Sequence, residues 1–428
     1  MSYSNTSRKS AARARRFANG PRAAMNAFNS EMSQRLTEIR RSGLYRQLRR
    51  MDSPQGRSIE FNGTSCLNFS SNDYLGLAND PMLKEAAIRA VERFGSGSGA
   101  SRLICGSLAP HHKLEESIAE FKGVEAALTF SSGYATALGT ICALMGKEDV
   151  IILDKLVHAS IIDAARLSGA TLRIFSHNDL NELEDILKWA DHKNTESSVR
   201  DSRQHSLIVT ESIFSMDGDH APLKEIVELK DKYRAWLMVD EAHATGLYGA
   251  NRRGLAEMMG IADRIEIQMG TLGKALGSSG GYICGSRALI DYLVNRARSF
   301  IFSTAPVPGA SAAASAAIAF VTSEEGAKRC ATLWDRVAEL DSKLKAQNSK
   351  GSSAIIPIIL GEEAAAMDAA AALLAKGIFV PAIRYPTVAR GQARLRVTLT
   401  AAHQSGDVEA LASGLESIRE TGSQLSAA

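Results

Sequence analysis

The sequence predicts an α/β protein: a large domain built on a mostly parallel β-sheet with helices on both faces, followed by a smaller C-terminal α/β domain. From about residue 129 onward, short apolar runs alternate with helical patterns, which is typical of parallel sheets. The chain has 428 residues, more than one hydrophobic core usually supports, so two lobes are expected. Its hydrophobic fraction of 45% and charged fraction of 23% are ordinary for a globular enzyme.

Individual elements follow from local patterns. Short apolar runs predict strands, and apolar residues at helical spacing predict helices. The predicted strands are a pair around residues 59–64, Val150–Asp154, Leu172–Phe175, Leu207–Glu211, Trp236–Asp240, 355–360, 377–381 and 394–400. The predicted helices are 29–50, Pro81–Phe94, one opening at His158, 310–320, a long one after 325, 363–376 and one near the C-terminus. Residues 188–205 are polar and predict a surface loop.

Composition sets the expected domain boundaries. Residues 1–30 are rich in arginine and carry no acidic residue before Glu31, which predicts a basic, disordered tail. An organelle transit peptide shares this composition and stays an alternative. We expect an N-terminal arm over 31–65, a large domain over 66–320 and a small domain over 321–428.

Overall charge and cysteine usage narrow the function classes. A net charge of +3 is too small to imply a nucleic-acid partner. The five cysteines are scattered and lack metal-ligand spacing, so we expect no metal site and reduced thiols in the cytoplasm. The basic tail leaves organelle targeting as the alternative location. No apolar run reaches the roughly 18 residues of a membrane span.

The most informative stretch runs from the predicted strand Trp236–Asp240 to a lysine flanked by glycines, Gly273-Lys274-Ala-Leu-Gly. Asp240 ends the strand and His243 follows in a Gly-containing loop. A strand-end aspartate and histidine followed by such a lysine suit pyridoxal phosphate. Lys274 would form the Schiff base, Asp240 would hold the pyridine nitrogen protonated, and His243 would reach a ring substituent.

Two other classes of protein, helicases and P-loop proteins, contain similar sequence motifs. Asp240-Glu-Ala-His243 also occurs as an acidic helicase motif, and Gly273-Lys274 resembles the core of a P-loop. A P-loop requires Gly, four residues and then Gly-Lys-Ser/Thr, but Gln268 occupies the first position and Ala275 follows the lysine. Basic and aromatic surface runs are also missing from the body of the chain. Both readings are therefore rejected.

Further site candidates lie at the ends of other predicted strands. The run Thr129-Phe-Ser-Ser-Gly133-Tyr134 joins a short strand to a helix, whose free amides and positive end suit a phosphate. His158 opens the next helix, where it could stack on a planar ring. Ser215 follows the strand Leu207–Glu211. Because ligands bind at the carboxyl ends of strands in open α/β sheets, these loops should converge.

Substrate candidates are more dispersed. Asn72 lies in a loop with polar clusters around an aromatic residue, which is typical of a site loop. Arg396, between Leu395 and Val397 on a predicted strand, is a reasonable carboxylate clamp. Arg384 lies in a loop, and Arg46 could reach a site only if the N-terminal arm folds over it.

Taken together, the motifs resemble the α-oxoamine synthases, enzymes that join an amino acid to an acyl thioester with loss of CO₂. The motifs are Asn68-Phe-Ser-Ser-Asn-Asp-Tyr-Leu-Gly, Gly97-Ser-Gly-Ala-Ser-Arg, His158-Ala-Ser, Glu211-Ser-Ile-Phe-Ser-Met-Asp-Gly-Asp, Asp240-Glu-Ala-His, Thr271-Leu-Gly-Lys-Ala and Arg394-Leu-Arg-Val-Thr-Leu-Thr-Ala-Ala-His. The resemblance covers roughly residues 40–420. It implies a fold-type-I, aspartate-aminotransferase-like transferase that acts as a homodimer with shared active sites.

The resemblance also implies a role for each matching residue. The implied catalytic residues are Lys274, His158, Asp240 and His243. The implied pyridoxal-phosphate ligands are Gly133, Tyr134, His158, Ser215, Asp240, His243, Thr271, Lys274 and, from the other subunit, Thr304. The implied substrate-binding residues are Arg46, Asn72, Arg384, Thr387 and Arg396.

One segment indicates the branch of the family. Ile383-Arg384-Tyr-Pro386-Thr387-Val is typical of the branch that joins L-alanine to a pimeloyl thioester, carried by coenzyme A or a carrier protein, in biotin synthesis. Ala389, where the family usually has a second proline, is a departure. Branches that use glycine or serine are alternatives. A non-catalytic partner subunit is a different class, disfavoured because Lys274, Asp240 and His158 are all retained.

Overall fold

The computed structural model describes residues 25–196, 204–344, 353–420 and 426–427. The chain divides into two compact units, Met1–Arg50 and Met51–Ala428. Most of the predicted basic tail, residues 1–24, lies outside the described residues. The predicted boundary between residues 320 and 321 stays a prediction.

The first unit contains one helix, α1, over residues 25–41. The prediction of a helix continuing to Arg50 was wrong, because the helix ends before Gly43. Gly43 has a φ of +69°, and the backbone N–H of Leu44 donates to Ile39 O at 3.0 Å. A left-handed glycine after the last turn is a common helix stop.

The second unit is organised around a seven-stranded sheet in the order β3-β9-β8-β7-β6-β4-β5. Its strands are β3 Ala126–Phe130, β4 Val150–Asp154, β5 Thr171–Phe175, β6 Ser206–Glu211, β7 Trp236–Asp240, β8 Ile267–Thr271 and β9 Gly281–Gly285. Among these strands β9 alone runs in the opposite direction, antiparallel to both β3 and β8. The prediction of a mostly parallel sheet is confirmed.

Residues on both faces of this sheet are buried, as its continuous apolar strands require. Along β4, Val150 and Ile152 belong to one hydrophobic cluster, while Ile151 and Leu153 belong to another. Successive side chains of a strand point to opposite faces, so the two clusters mark the two helix layers. Both layers hold the strand ends, and therefore the loops that follow them, in fixed positions.

The helices of the second unit largely match the predicted ones. They are α2 Pro81–Phe94, α3 Ala109–Lys122, α4 Gly133–Leu144, α5 Ala159–Ser168, α6 Leu180–Glu196, α7 Leu223–Tyr233, α8 Leu255–Met259, α9 Arg287–Arg296, α10 Arg298–Ile301, α11 Pro308–Thr322, α12 Glu324–Leu344, α13 Glu363–Ala375 and α14 Ser405–Glu420. Across the described ranges, every helix is too short or too polar to cross a bilayer.

One loop prediction was wrong. Residues 188–196 belong to helix α6 rather than to a surface loop, and 197–203 lie outside the described residues. Leu183, Leu187 and Ala190 are all buried on one face of α6. Their i, i+4, i+7 spacing continues into the polar stretch, so packing of this face stabilises the helix beyond the point where composition suggested a loop.

Two smaller sheets complete the second unit. Strands β1 Ser58–Phe61 and β2 Thr64–Asn68 form the predicted antiparallel pair. β11 Ile378–Phe379 joins this pair, parallel to β2. The other sheet has the order β12-β13-β10-β14, from β10 Ile355–Gly361, β12 Ala382–Ile383, β13 Ala393–Thr398 and β14 Ser426–Ala427.

Candidate active site

The predicted site residues gather at the carboxyl edge of the central sheet. Asp240 and Glu211 are the last residues of β7 and β6 and face each other in register. Thr271 ends β8, and Lys274 follows it by three residues. His158 precedes α5 in the connection from β4. The parallel arrangement places all these strand ends on one side of the sheet.

A continuous chain of side chains leads away from Lys274. Lys274 Nζ lies 2.8 Å from His243 Nε2, and His243 Nδ1 lies 2.6 Å from the hydroxyl of Tyr74. That hydroxyl donates to Asn72 Oδ1 at 3.2 Å. Arg396 Nη2 donates to the same Asn72 oxygen at 3.1 Å. Five side chains from four separate segments therefore meet in one network.

The directions of these hydrogen bonds follow from the protonation states. Burial and the charge of Lys274 hold the pKa of His243 far below its usual range, so its ring is neutral. When Lys274 donates to Nε2, the single ring proton lies on Nδ1 and is donated to Tyr74. Burial raises the pKa of Tyr74 to about 12, so the phenol keeps its own proton for Asn72.

Lys274 and Asp240 form the charged centre of the site. Burial lowers the pKa of Lys274 to about 8, although the negative charge of Asp240 opposes the shift. The carboxyl of Asp240 is 5% exposed and accepts a hydrogen bond from the N–H of Ala242 at 2.9 Å. Burial raises the pKa of Asp240, while Lys274 favours its ionised form. Lys274 is thus able to gain and lose a proton near neutral pH.

Arg396 is fixed by two bonds from different atoms. Its Nε donates to the backbone oxygen of Ser215 at 2.6 Å, while Nη2 donates to Asn72. Arg396 is 6% exposed, so the guanidinium is held below the surface. The structure therefore joins Asn72, Arg396 and the Ser215 loop. Arg396 binds the backbone oxygen of Ser215 and not its hydroxyl.

His158 is the N-cap residue of α5. Its Nδ1 accepts from the backbone N–H of Ser160 at 3.2 Å and lies 2.8 Å from the Ser160 hydroxyl. Burial lowers the pKa of His158. Because Nδ1 is an acceptor, the proton of the neutral ring lies on Nε2, and the ring orientation is locked by Ser160.

The predicted phosphate loop forms a close-packed cradle at the N-terminus of α4. A Cβ on Gly133 would lie 2.9 Å from Thr271 Cγ2, and one on Gly281 would lie 2.8 Å from Gly133 Cα. The hydroxyl Oγ1 of Thr271 is buried and has no protein partner among the described residues. The first N–H groups of a helix lack partners within the helix. The N-terminus of α4 and the unpartnered hydroxyl of Thr271 together therefore suit a phosphate.

Tyr134 adopts a different arrangement from its neighbours. Its side chain is 46% exposed, and its hydroxyl donates to Asp163 Oδ2 at 2.6 Å. Tyr134 is the second residue of α4, and its hydroxyl is engaged by Asp163.

Several predicted residues lie outside the network. Thr304 is exposed and forms an isolated antiparallel bridge with Ser101. Arg384 and Thr387 occupy the loop between β12 and β13, where Thr387 N–H donates to Arg384 O at 3.0 Å. Arg46 belongs to the first unit, where its side chain is exposed. Their proposed contacts with substrate or cofactor stay predictions.

Sequence reasoning missed two residues that the structure places in the site. Tyr74 connects Asn72 to His243, yet its position inside the loop motif around Asn72 was the only available signal. Glu211 is 2% exposed beside Asp240 and was treated only as part of a motif. Both depend on contacts between distant segments, which a single sequence does not display.

The site residues fit a pyridoxal-phosphate group. The cradle of α4 and Thr271 suits its phosphate, and the buried carboxylate of Asp240 suits a protonated ring nitrogen. The amine of Lys274, with its lowered pKa, suits Schiff-base formation. These residues therefore suit the phosphate, the ring nitrogen and the aldehyde of the cofactor.

Comparisons with known proteins agree with this geometry. Residues 64–415 match the model of the family described as aminotransferase class I and II. The chain is 47% identical over 394 residues to an 8-amino-7-oxononanoate synthase of Geotalea daltonii, covering 91% of this chain and 97% of that protein. It is 43% identical over 397 residues to the protein of the same name from Thermoanaerobacter pseudethanolicus, covering 92% and 97%.

A solved structure extends the comparison to the fold. A serine palmitoyltransferase variant from S. paucimobilis with a bound PLP–myriocin aldimine superposes with a TM-score of 0.83 at 27% identity, covering 93% of this chain and 98% of that one. The predicted fold-type-I architecture and its pyridoxal-phosphate cofactor are confirmed. The chain belongs to the aminotransferase class I and II family and, within it, to the α-oxoamine synthases, acyltransferases that use pyridoxal phosphate.

Proposed function

We propose that this protein condenses L-alanine with a pimeloyl thioester, of coenzyme A or of an acyl carrier protein, to give 8-amino-7-oxononanoate for biotin synthesis. The observation that carries the proposal is the network from Lys274 through His243, Tyr74 and Asn72 to Arg396. It sets a proton acceptor and a carboxylate receptor on one site, as condensation of an α-amino acid requires. The names of the relatives supply the substrates.

In the overall reaction, the Cα–H bond of alanine breaks, and the Cα–C bond to the thioester carbonyl forms while the carrier thiol leaves. The alanine carboxylate then departs as CO₂, and Cα is reprotonated. When bound, pyridoxal phosphate supplies the electron sink that stabilises negative charge on Cα. Lys274 moves the protons to and from Cα, because its pKa near 8 lets it act as base and then as acid.

The amino-acid carboxylate is proposed to bind between Asn72 and Arg396. Arg396 already donates hydrogen bonds from Nε to Ser215 O and from Nη2 to Asn72, and these two bonds hold the guanidinium plane fixed. Its remaining Nη1 and the amide nitrogen of Asn72 would then receive the carboxylate. A receptor held in advance costs little ordering when the substrate binds, and it orients the bond that loses CO₂.

The cofactor is proposed to be held by residues at or after the ends of five strands, β3, β4, β6, β7 and β8. Gly133, Tyr134 and Thr271 would bind the phosphate, and Asp240 the ring nitrogen. The ring of His158, locked by Ser160, would stack on the cofactor ring. His243 and Ser215 would bind the ring hydroxyl.

The distal carboxylate of the pimeloyl chain is proposed to bind near the loop between β12 and β13. Arg384 offers a cation there, and Thr387 a hydroxyl. A cation at this position would favour a dicarboxylic acyl chain over an unsubstituted one.

We further propose a homodimer in which Thr304 contacts the phosphate bound by the neighbouring subunit. Large apolar side chains surround the Ser101–Thr304 bridge in sequence and are solvent-exposed in the single chain: Leu103 at 51%, Ile104 at 78%, Phe302 at 71% and Val307 at 49%. A soluble chain seldom leaves so many exposed together, which favours a second copy. The proposed compartment is the cytoplasm, in keeping with five free thiols.

The test is release of free thiol and CO₂ by the purified, cofactor-loaded protein. Pimeloyl-CoA would be offered with L-alanine, glycine or L-serine in parallel, and acetyl-CoA with L-alanine would control for the acyl chain. We expect turnover with L-alanine and pimeloyl-CoA, and the aminoketone product by mass spectrometry. Turnover with glycine or serine alone would contradict the substrate assignment, and a protein that is inert with both pimeloyl-CoA and a pimeloyl-acyl carrier protein would contradict the reaction.

A further inference from the structure

Glu211 is a buried carboxyl for which the proposed reaction has no use. It ends β6, its Cα is in register with that of Asp240 on β7, and the side chains are 2% and 5% exposed. Two buried carboxyls on adjacent strand ends cannot both be ionised without a large electrostatic cost. One of the two must therefore hold a proton.

The surroundings distinguish the two carboxyls. Asp240 receives the N–H of Ala242, and the charge of Lys274 favours its ionised form. In Glu211, by contrast, Oε1 is buried without a hydrogen-bond partner among the described residues. Burial and, next to it, the charge of Asp240 together raise the pKa of Glu211 to about 8. The unpartnered oxygen of Glu211 is thus the place for the proton.

Glu211 also lies beside the backbone of two site loops. The N–H groups of His158 and Ser215 act on its carboxyl and favour its ionised form, against burial and Asp240. His158 opens α5, whereas Ser215 follows β6 itself. The carboxyl therefore stands where these two loops and the end of β7 meet.

We propose that Glu211 is a positioning residue that holds the proton of the Glu211–Asp240 pair, leaving the negative charge on Asp240, and anchors the loops of His158 and Ser215. The charged groups that face it are Asp240 on β7 and Lys274 after β8, with the backbone of His158 and Ser215 completing its surroundings. As a neutral acid it adds no second charge beside Asp240. The inference rests on the proposed function in one respect only, the role of Asp240 as the residue that binds the ring nitrogen.

The decisive measurement is the thermal stability of the cofactor-free protein against pH. A carboxyl whose folded pKa is raised loses stability as pH rises from its unfolded pKa near 4.5 toward 8, because the unfolded chain ionises first. Glu211→Gln, an uncharged isostere, removes this loss. We expect the Tm advantage of E211Q over the natural protein to grow by about 3 °C between pH 5 and pH 8.

The control is Glu116→Gln, a change at an exposed glutamate of α3. Its Tm difference from the natural protein should stay constant over the same pH range. An E211Q difference that also stays constant would overturn the assignment of the proton. Because no substrate is present, this outcome is separate from failure of the proposed reaction.

Cofactor affinity tests the anchoring role. Glu211→Gln keeps an oxygen for the loop N–H groups, so its dissociation constant for pyridoxal phosphate should stay within about threefold of the natural value. Glu211→Leu removes that oxygen and should weaken binding by about tenfold or more. Equal affinity of the two variants would refute the anchoring role. If E211L does not fold, the pH series on E211Q still decides the protonation state.

Discussion

Two buried lysine–carboxylate sets lie on opposite sides of the end of β7, and they differ in how completely they are paired. Glu241 accepts from Lys122 Nζ and, at 2.9 Å, from the N–H of Ala256, while Lys122 also donates to Arg253 O at 2.7 Å. Asp240, one residue earlier, receives one N–H bond, from Ala242. We call the Lys122–Glu241 set closed, because its charged groups are bound to each other and to backbone groups. We call the Lys274–Asp240 set open, because Asp240 can still bind a ligand.

The pKa values of the two lysines show the consequence. Burial lowers the pKa of Lys122, but the charge of Glu241, together with smaller contributions from Tyr282, Cys284 and the hydrogen bond to Glu241, outweighs burial and leaves the pKa above its usual value. Burial lowers the pKa of Lys274 to about 8, because Asp240 compensates only in part. Burial alone therefore does not mark a functional lysine. A functional lysine is marked instead by an effect of burial that the neighbouring charges compensate only in part, because its amine can then gain and lose a proton.

The largest effect is expected when the open set loses its lysine. Lys274→Ala should abolish turnover while the fold persists, because no other described amine stands beside His243. Thiol release and circular dichroism measure the two quantities. Lys113→Ala, at an exposed lysine of α3, is the matched control and should keep full activity. Retained turnover in K274A would remove the proposed proton transfer.

The next effect separates the two carboxylates by stability. Glu241→Gln strands the charge of Lys122 and should cost about 3–5 kcal/mol in the free energy of unfolding. Asp240→Asn removes a carboxyl whose pKa burial has raised, so the cofactor-free protein should lose little stability, although turnover should collapse. Urea unfolding of both variants makes the comparison. A similar loss of stability in both would erase the distinction between closed and open sets.

A pH series should expose Lys274 in the cofactor-free protein. Its folded pKa of about 8 lies below the usual 10.5, so the unfolded chain binds more protons between these values. Stability relative to Lys274→Met should therefore rise with pH from about 8 to 10.5, by roughly 1–3 kcal/mol. The same series on Lys122→Met should show no such rise. A flat difference for K274M would mean that the lysine is fully compensated.

The smallest effect concerns the orphan hydroxyl of the cradle. Thr271→Val should weaken pyridoxal-phosphate binding by about fivefold, the worth of one hydrogen bond of roughly 1 kcal/mol, without destabilising the fold. Equilibrium dialysis measures the dissociation constant. Thr140 Oγ1 in α4 is also buried without a partner among the described residues, so Thr140→Val is the matched control. Equal effects of the two changes would remove Thr271 from the phosphate site.

Elements with local signals were predictable from the sequence. Helix α2 matches its predicted bounds because Asp80 caps its first turn, Pro81 opens it and Gly95, with a φ of +83°, follows its last residue. Elements that depend on distant packing were not. The end of α6 is set by residues such as Leu187 packed in the core, and β11 adopts its place by pairing with Leu67 and Asn68, more than 300 residues earlier in the chain.

The sequence by itself determined which residues stand at the carboxyl edge of the sheet, because apolar strands end where polar residues begin and parallel strands share one direction. Asp240, His158 and Gly133 follow from that rule, whereas Lys274 was predicted from its flanking glycines. Only the tertiary structure decided which carboxylate at the end of β7 is closed by a lysine. Strand alternation sends Asp240 and Glu241 to different surroundings, but Lys122 arrives from a helix 119 residues earlier. The choice depends on how the layers pack, and no local pattern records it.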